Sequence, residues 1–570
     1  MEPRESQGAS ESHGSRQLSR RQFLTRSAAL GISIPLAGEL FAAYTSSPSA
    51  AAASTSAAKS SSNSSSKGIT VGLDTDIDTL DPISFRSDAA YEAVIQVYDM
   101  PVNNPVKRID GILQGVAGSL VPELAVKYSV SPDETVYKFT VRKGVKFSNG
   151  YPVTADAFRY SYLRALEGPG YASLVMGLLK VTKPSQIVAT GPMTFELRLS
   201  EPNPLGPKLV PLSVLEIMDP KLSKHEATKK DPWAADYYRT HMMGTGPYMQ
   251  SSTTWQSGNQ YLLEKNPHYW DRSKVKNGGV LLKYVPSADD RALLVQEGSI
   301  DVAFGLPANK LHSLRHAHGL RLINVPSRNW NYLGMNNTIK PFNDVRVRQA
   351  IAYALPYESL IKDSLYGFAS PLKGIIASST PTADDSLWPY KTDVRKANHL
   401  MAEAGHSSGF NTTLTVQVST PDDLNSATFI QAALHKIGID ITISQVSSAS
   451  FATKVDSGEV PMFIDYWYSW VDDPFYQMYW LLDSKNTETG GSNTAKYSDA
   501  EMDKLINSGV YDTNARTREQ RSRAVQTRFN EAVPYVPLYS ENFTLATRTD
   551  VKGVNVFPDQ YVRFWMLYKD

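Results

Sequence analysis

The sequence predicts an α/β protein with at least two domains, on the basis of three observations. The chain has 570 residues, more than one hydrophobic core usually organises. Apolar or alternating runs typical of β-strands occur in both halves of the chain, for example at 136–142 and 439–446. In the second half such runs alternate with helical patterns, which favours a mostly parallel sheet covered by helices.

The composition is that of an ordinary soluble globular protein, and it excludes several functions. Hydrophobic residues make up 41% and charged residues 20% of the chain. The net charge of +1 gives no reason to expect a nucleic-acid surface. The absence of cysteine excludes disulfides, thiolate metal sites and cysteine nucleophiles. His312, His316 and His318 are close in sequence but form no metal-binding pattern, so we expect neither a metal nor a cofactor.

Residues 1–53 are interpreted as an export signal region. Arg20 and Arg21 precede a moderately apolar run from about residue 28 to 44, and small residues follow it. The paired arginines followed by Phe-Leu resemble a twin-arginine signal, which implies a bacterial or archaeal protein exported in the folded state. A retained N-terminal anchor is the alternative. Residues 54–67 are a Ser-rich linker with too little apolar surface to fold.

The first half of the chain reads as strands and helices from about residue 68. An acidic turn from Asp74 to Asp81 follows the first strand. The segment Gly244-Thr245-Gly246-Pro247-Tyr248 is a tight turn and not a phosphate loop, because no lysine–hydroxyl ending or helix follows it. The predicted elements are strands at 69–73, 136–142 and 193–199, and helices at 88–99 and from Thr154 to about 166.

The second half reads as a separate α/β unit. In such sheets ligands gather at the carboxyl ends of the strands. The predicted elements are strands at 329–336, 413–418, 439–446 and 462–467, and helices at 345–354, 425–436, 449–456, 499–510 and 515–531.

An aromatic stretch from Phe463 to Trp480 begins at one of these strand ends. Nine of its eighteen residues are aromatic, and carboxylates stand among them. It is interpreted either as a core strand that runs into a loop or as a strand end that lines a ligand cleft. Tyr466, Trp467 and Tyr468 are consecutive, so a strand directs Trp467 to one face and its two neighbours to the other. The strand-end position favours the cleft.

Five blocks of sequence are spread over residues 69–570, at 121–162, 244–270, 341–361, 463–506 and 529–539. The first three are PELAVKYSVSPDETVYKFTVRKGVKFSNGYPVTADAFRYSY, GTGPY with YLLEKNPHYW, and PFNDVRVRQAIAYALPYESLI. The fourth combines the aromatic stretch around Asp473-Pro474 with YSDAEMDKLI, and the fifth is FNEAVPYVPLY. In content and order these blocks resemble the family 5 extracellular solute-binding proteins, the peptide- and nickel-type receptors of ATP-driven importers.

This resemblance implies a two-lobed periplasmic-binding-protein-like fold with a discontinuous first lobe. Two chain crossings, near 326–332 and 537–543, are expected to form a two-strand hinge that lets the lobes close on a ligand. The implied divisions are lobe I at 68–329 with an inserted subdomain at about 105–240, lobe II at 330–540, and a return to lobe I at 541–570.

Three classes of function are compared. A receptor feeding permease and ATPase subunits of an importer agrees with the resemblance. An exported enzyme is disfavoured, because the chain has no GxSxG, SxxK, zinc or dinucleotide pattern. The adjacent Asp472 and Asp473 would point apart on an extended chain and could not flank one glycosidic bond. A sensing or peptide-holding protein that is not coupled to transport stays open. By analogy with the family we expect an exported monomer, in the periplasm or at the outer face of the cytoplasmic membrane or cell wall.

The resemblance places ligand specificity around the tryptophan motif. In peptide-binding members an aspartate three residues after the motif tryptophan holds the α-amino group, but here Trp470 stands three residues after Trp467. On a shifted alignment Asp465 or Asp472 takes the place of that aspartate. The resemblance makes an oligopeptide the first expectation, and the alternative is an oligosaccharide, whose flat faces suit aromatic rings. The predicted ligand-contacting residues are Trp467, Trp470, Tyr466, Tyr468, Asp465, Asp472, Trp330 and Tyr332.

Overall fold

The computed structural model describes residues 67–212, 214–488 and 491–570. The predicted export signal with Arg20 and Arg21, and the predicted Ser-rich linker except Lys67, lie outside the described residues. No helix within these described ranges is both long and apolar enough to cross a membrane.

A seven-stranded mixed sheet organises the first half of the described chain. Its central strand, Ile69–Leu73, pairs in parallel with Val280–Tyr284 and Val302–Ala303. The apolar side chains of this strand are almost completely buried, as expected of a strand covered on both faces. In spatial order the seven strands are Tyr248–Gln256, Gln260–Lys265, Val280–Tyr284, Ile69–Leu73, Val302–Ala303, Phe543–Arg548 and Leu320–Val325.

A six-stranded sheet organises the second half. Phe410–Gln417 pairs in parallel with Ile439–Val446 and with Met462–Trp467, whereas Trp330–Met335 is antiparallel to both of its neighbours. The expected parallel pairing thus holds only between the strands from 410 to 467. The strand Trp330–Met335, by which the chain enters this sheet, runs in the opposite direction and separates them from Tyr535–Glu541. In spatial order the strands are Ala369–Ser370, Tyr535–Glu541, Trp330–Met335, Met462–Trp467, Phe410–Gln417 and Ile439–Val446.

The chain passes between the two large sheets twice. It leaves the first sheet at Val325 and enters the second at Trp330. It returns from Glu541 to Phe543 with a single residue between the strands. The Ser327 hydroxyl donates to the Glu541 carbonyl, so the two connections lie side by side.

A four-stranded antiparallel sheet with one long helix forms a smaller unit in the first half. The helix Ala155–Glu167 packs on this sheet, and Thr154 occupies its N-cap position without a side-chain capping bond. Phe139, Phe158 and Phe195 have no exposed surface and form the core between helix and sheet. In spatial order the strands are Ala125–Val130, Val136–Val141, Thr194–Arg198 and Ile187–Gly191.

Helices cover both large sheets. Val345–Ala354 has the predicted bounds, but the helix predicted from residue 425 begins four residues earlier, at Pro421. Proline at the first helical position and acids in the first turn explain the earlier start. The other α-helices are Asp88–Val97, Ala172–Leu178, Gly206–Leu209, Pro220–Glu226, Ala235–Tyr238, Ala288–Glu297, Ala308–Leu314, Tyr357–Ser359, Val394–Glu403, Ser448–Asp456, Pro474–Leu482, Ala500–Val510 and Ala515–Ala532.

Among the described residues, short strands form three further small sheets. Their strands are Val102–Asn103 with Val121–Pro122, Val551–Lys552 with Tyr568–Lys569, and Asn555–Val556 beside Ile112–Gly115 and Val106–Ile109. The pairing of Asn555–Val556 with Ile112–Gly115 returns the end of the chain to the first half.

Candidate ligand-binding site

A cavity of about 750 Å³ lies between the two large sheets. The carboxyl ends of parallel strands from both sheets border this cavity. Open α/β sheets bind ligands at these strand ends. Asp74 to Asp76 follow Ile69–Leu73, Phe304 to Leu306 follow Val302–Ala303, and Val418 to Thr420 follow Phe410–Gln417. The volume lies within the roughly 300–1,000 Å³ typical of small-molecule sites. This cavity is the candidate binding site.

The lining of the cavity is strongly acidic. Of the described residues that line it, seven are acidic and one, Arg291, is basic. The Arg291 guanidinium donates to the backbone carbonyls of Val285, Pro286, Phe304 and Gly305, which positions the loops around it and leaves the carboxylates to other partners. The seven acidic residues are Asp74, Asp76, Asp88, Glu92, Asp422, Asp423 and Glu541.

On the side of the first sheet, the helix Asp88–Val97 presents its first turn to the cavity. The Tyr561 hydroxyl donates to Asp88 at 2.6 Å, and the Tyr561 ring stacks on Tyr91 with centroids 4.0 Å apart. Burial by the surrounding protein raises the pKa of Asp88, although water in the cavity reaches this carboxyl. Glu92, one turn further, is 3% exposed, and its Oε2 has no hydrogen-bond partner among the described residues. Burial raises the Glu92 pKa well above its ordinary value.

On the side of the second sheet, three carboxyls lie close together. Asp422 and Asp423 belong to the first turn of the helix Pro421–His435, and Glu541 ends the strand Tyr535–Glu541. Asp422 accepts from the Ala308 backbone N–H at 2.9 Å, a contact between the two halves of the protein. Burial, followed by the charges of Asp423 and Asp422, raises the pKa of Glu541 to about 8. Burial raises the pKa values of Asp422 and Asp423 to about 6.

Tyr466 and Tyr468 line the cavity between these two acidic sides. Tyr466 is 41% exposed, and the Asp88 charge, burial, and the charges of Asp465, Glu541 and Asp423 raise its pKa well above the ordinary value. The Tyr468 hydroxyl donates to the Asp559 carbonyl at 2.9 Å. A ligand contact by either tyrosine stays a prediction.

Trp330, Tyr332 and Asp465 lie on the opposite face of the second sheet. Strand register pairs Tyr332 with Asp465 and Trp330 with Trp467, while Tyr466 is paired with Asn331 on the cavity face. Trp330 has no exposed surface, and its indole Nε1 donates to the Gly374 carbonyl at 2.8 Å. The Tyr332 hydroxyl donates to Asp465 at 3.3 Å, and burial raises the Asp465 pKa to about 7. These residues do not line the cavity, because the strand alternation directs them away from it.

Trp467, Trp470 and Asp472 also lie outside the cavity lining. The Trp470 ring packs against Tyr171 and Tyr91, at centroid distances of 5.6 and 6.2 Å. The Trp467 indole N–H and Asp472 Oδ1 are buried and have no hydrogen-bond partner among the described residues. The three residues therefore belong to the packing around the cavity, and a ligand contact by any of them stays a prediction.

Asp473 is part of the framework that holds this segment. It caps the helix Pro474–Leu482 by accepting from the Phe475 N–H, and it pairs with Lys208 at 2.8 Å and Arg518 at 2.6 Å. Burial works against its ionisation, but these two cations outweigh burial and lower its pKa. Asp473 therefore joins three parts of the protein and is not available to a ligand.

The cavity does not have the features of a metal site. Among the residues that the structure describes, no group of three or more His, Cys, Asp or Glu side chains is arranged to hold a metal ion. The carboxyls instead line a large volume at separate places, which suits contacts with several parts of an organic ligand.

Sequence reasoning does not select the seven acidic residues. A signal exists for Asp74 and Asp76, which lie in the acidic turn after the first strand, and for Asp422 and Asp423 beside a helix-starting proline. For Glu541, at the end of a buried strand far along the chain, the sequence gives no comparable signal.

Two α/β sheets joined by paired connections, with a ligand-sized cavity between them, define a receptor that holds a small ligand between two lobes. A family model described as bacterial extracellular solute-binding proteins, family 5 Middle, matches residues 119–489. The chain belongs to this family, as its sequence blocks predict.

Curated relatives are binding proteins. The chain is 29% identical over 437 residues to a probable D,D-dipeptide-binding periplasmic protein, DdpA, of Escherichia coli (strain K12), covering 76% of this chain and 81% of the relative. It is 26% identical over 509 residues to the glutathione-binding protein GsiB of Salmonella paratyphi A, covering 86% and 93% of the two chains.

Solved structures share the fold. The periplasmic binding protein DppA from Helicobacter pylori, in complex with the peptide STSA, has a TM-score of 0.76 and 23% identity over 88% of this chain and 98% of its own. A dipeptide-binding protein from Pseudoalteromonas sp. SM9913, in complex with Met-Leu, has a TM-score of 0.77 and 19% identity over 88% and 100% of the two chains. These similarities confirm the predicted two-lobed α/β fold.

Proposed function

We propose that the protein is an extracytoplasmic receptor that binds a short peptide between its lobes and delivers it to an ABC importer. The observation that carries this proposal is the cavity of about 750 Å³ between the two sheets, lined by carboxyls and tyrosines from both. Relatives named for binding dipeptides and glutathione support a peptide as the ligand.

A bound peptide requires a carboxylate for its α-amino group, because a buried ammonium without a partner is strongly unfavourable. Neither Asp465 nor Asp472 lines the cavity, so we assign this role to its acidic lining. Asp88 is the first choice, because it is accessible within the cavity and the Tyr561 hydroxyl fixes its orientation. A ligand held by Asp88 is also close enough to contact Tyr466, whose ring provides a flat apolar surface.

An oligosaccharide is the second candidate, because Tyr466 and Tyr468 offer ring faces to the cavity. The hydroxyls of a neutral sugar donate hydrogen bonds to carboxylates but bring no positive charge to the acidic lining, which favours the peptide. The peptide receptor could also serve sensing or peptide holding without transport, and reconstitution with its permease and ATPase subunits distinguishes these cases.

We propose that the two connections at 326–332 and 537–543 act as a hinge between lobe I (68–329 and 541–570) and lobe II (330–540). Support comes from the paired passages of the chain between the sheets at Val325 to Trp330 and Glu541 to Phe543. A ligand that contacts both lobes should shift the protein towards a closed state. Small-angle scattering should then show a smaller radius of gyration on binding, and an unchanged radius at saturation would contradict the hinge.

We also propose that Arg20 and Arg21 direct export of the folded chain through the twin-arginine route and that the exported receptor is a monomer. Replacing both arginines by lysine keeps the charge and should hold the protein in the cytoplasm. Export of the double variant in cells that lack the twin-arginine machinery would disprove the route.

A thermal-shift screen of the ligand-free protein tests the peptide proposal. Free peptides, N-acetylated peptides and oligosaccharides are the three sets of probes. A ligand at a hundred times its Kd should stabilise the fold by about 2.7 kcal/mol. Stabilisation by free peptides that acetylation removes supports the proposal, whereas stabilisation by oligosaccharides alone overturns it.

A further inference from the structure

We infer that the peptide bound by this receptor is cationic: it carries a lysine or arginine side chain in addition to its free amino terminus. This inference rests on the proposed peptide function and specifies the substrate class of the same cavity. The observation behind it is the opposition of two groups of carboxyls across one cavity, none of which forms an ion pair with the one basic residue of the described lining, Arg291.

The first acidic group, on lobe I, consists of Asp74, Asp76, Asp88 and Glu92. Tyrosine hydroxyls donate to Asp76 and to Asp88, so these carboxyls receive neutral donors. Glu92 Oε1 accepts from the Val562 N–H at 3.4 Å, whereas its Oε2 has no partner among the described residues. Glu92 belongs to the lining of the cavity and is 3% exposed, so this oxygen is a buried polar atom of the cavity wall that no described donor satisfies.

The second acidic group consists of Asp422, Asp423 and Glu541. This group also receives a neutral donor, since Asp422 accepts from the Ala308 backbone N–H. The three carboxyls lie close enough for the charges of Asp423 and Asp422 to disfavour ionisation of Glu541. A bound ammonium or guanidinium would relieve this repulsion and restore the charge of the group.

Arg291 forms no ion pair with either group, although its charge interacts with that of Asp74. Its three guanidinium nitrogens donate to four backbone carbonyls, and its side chain is almost completely buried against them. A metal ion is not a suitable counter-charge either, because no metal-holding group of acids or histidines occurs within the described ranges. Two cationic groups on one organic ligand, separated by the width of the cavity, match the two acidic groups.

Two amide groups in the lining favour a peptide over a simple polyamine. Gln560 is 6% exposed, its Oε1 accepts from the Arg328 N–H, and its Nε2 donor has no partner among the described residues. Asn329 Oδ1, also in the lining, is a buried acceptor without a partner there. A peptide backbone supplies both a carbonyl for Gln560 and an N–H for Asn329, whereas a polyamine has no acceptor.

Calorimetry with matched peptides tests the inference. Ala-Lys-Ala and Ala-norleucine-Ala differ by the side-chain ammonium alone, and Ala-Glu-Ala reverses the charge. We expect the lysine peptide to bind at least about thirtyfold more tightly than the norleucine peptide, as for the loss of one buried charge partner. The advantage should shrink as salt is added, because salt screens the charges.

The outcomes separate the inference from the proposed function. Equal affinity for the lysine and norleucine peptides overturns the cationic inference and leaves the peptide receptor intact. Binding of 1,5-diaminopentane without any peptide overturns the peptide function and retains the requirement for positive charge. Binding of none of these probes counts against both.

Variants locate the effect in the cavity. Glu541→Gln and Asp423→Asn should each reduce the preference for lysine over norleucine about tenfold or more. Asp440→Asn removes the carboxyl of an exposed residue that is paired with His435 outside the cavity lining, and should leave the preference unaltered. Circular dichroism and melting confirm that each variant is folded. An equal loss in Asp440→Asn would show a general charge effect and overturn the assignment.

Discussion

Asp473 and Glu541 both lie in the second half of the chain, and both of their carboxyl groups are surrounded by protein. The environments of the two groups differ. Asp473 accepts from a helix N–H and pairs with Lys208 and Arg518, so its pKa is lowered in spite of burial. Glu541 lies near Asp423 and Asp422 in the wall of the cavity. Burial and the charges of these two residues raise the pKa of Glu541 to about 8. A carboxyl with cationic partners stabilises the fold, whereas carboxyls that repel one another around a cavity are suited to a ligand that brings the missing charge.

The largest expected effect is the loss of stability when Asp473, the carboxyl with two cationic partners, is replaced. Asp473→Asn keeps a helix-capping side chain but leaves Lys208 and Arg518 without their charged partner. We expect a loss of about 3 kcal/mol or more in the free energy of unfolding, measured by denaturant titration with an unchanged m-value. The neighbouring Asp472→Asn, which breaks no ion pair, is the control and should change stability by less than about 1 kcal/mol. A small effect of Asp473→Asn would show that its ion pairs contribute little.

The second effect concerns Tyr466, which lies between the two acidic groups and is 41% exposed. Removing its ring in Tyr466→Ala should weaken ligand binding by about 2 kcal/mol, or roughly thirtyfold, with little change in melting temperature. Tyr466→Phe retains the ring and separates stacking from hydrogen bonding. If the Ala variant binds within about threefold of the native protein, Tyr466 is not a ligand contact.

A smaller effect on stability is expected when Glu541 is replaced, because this removes its repulsion with Asp422 and Asp423. The Glu541 pKa rises from 4.5 to about 8 on folding, so the folded state binds more protons than the unfolded state between these values. This group therefore makes the ligand-free protein less stable as pH rises towards about 8. Glu541→Gln should raise stability by about 1 kcal/mol at high pH, and by less at about pH 5, in melts of the ligand-free protein. A loss of stability at high pH would contradict the unpaired environment.

The smallest expected effect is the release of protons when the ligand binds. Near pH 7 the raised pKa keeps Glu541 largely protonated in the ligand-free protein, beside Asp422, Asp423 and the Tyr466 hydroxyl. A cationic ligand should favour its ionisation and release up to about one proton. The binding enthalpy should therefore depend on the ionisation enthalpy of the buffer, and affinity should rise between pH 6 and 8. Binding without this buffer dependence would show that the ligand does not approach Glu541.

The local elements follow largely from sequence patterns. Val345–Ala354 has its predicted bounds because apolar residues recur on one helical face and Asp344 caps its start. The helix Pro421–His435 begins earlier than expected, since the prediction starts from the apolar pattern and omits the polar first turn. That omitted turn contains Asp422 and Asp423, so a small error in an element boundary removes two residues from the predicted site.

The sequence by itself determined the family, the α/β class and the alternation that separates Tyr466 from Asp465 and Trp467, because backbone geometry fixes which residues of one strand share a face. Only the tertiary structure decided which of the two faces borders the cavity. It also brought Asp88, Asp422 and Glu541 to one cavity, although each lies more than a hundred residues from the next in the chain. The physical reason is that side-chain periodicity acts within an element, whereas the packing of two sheets across paired connections decides which elements face each other.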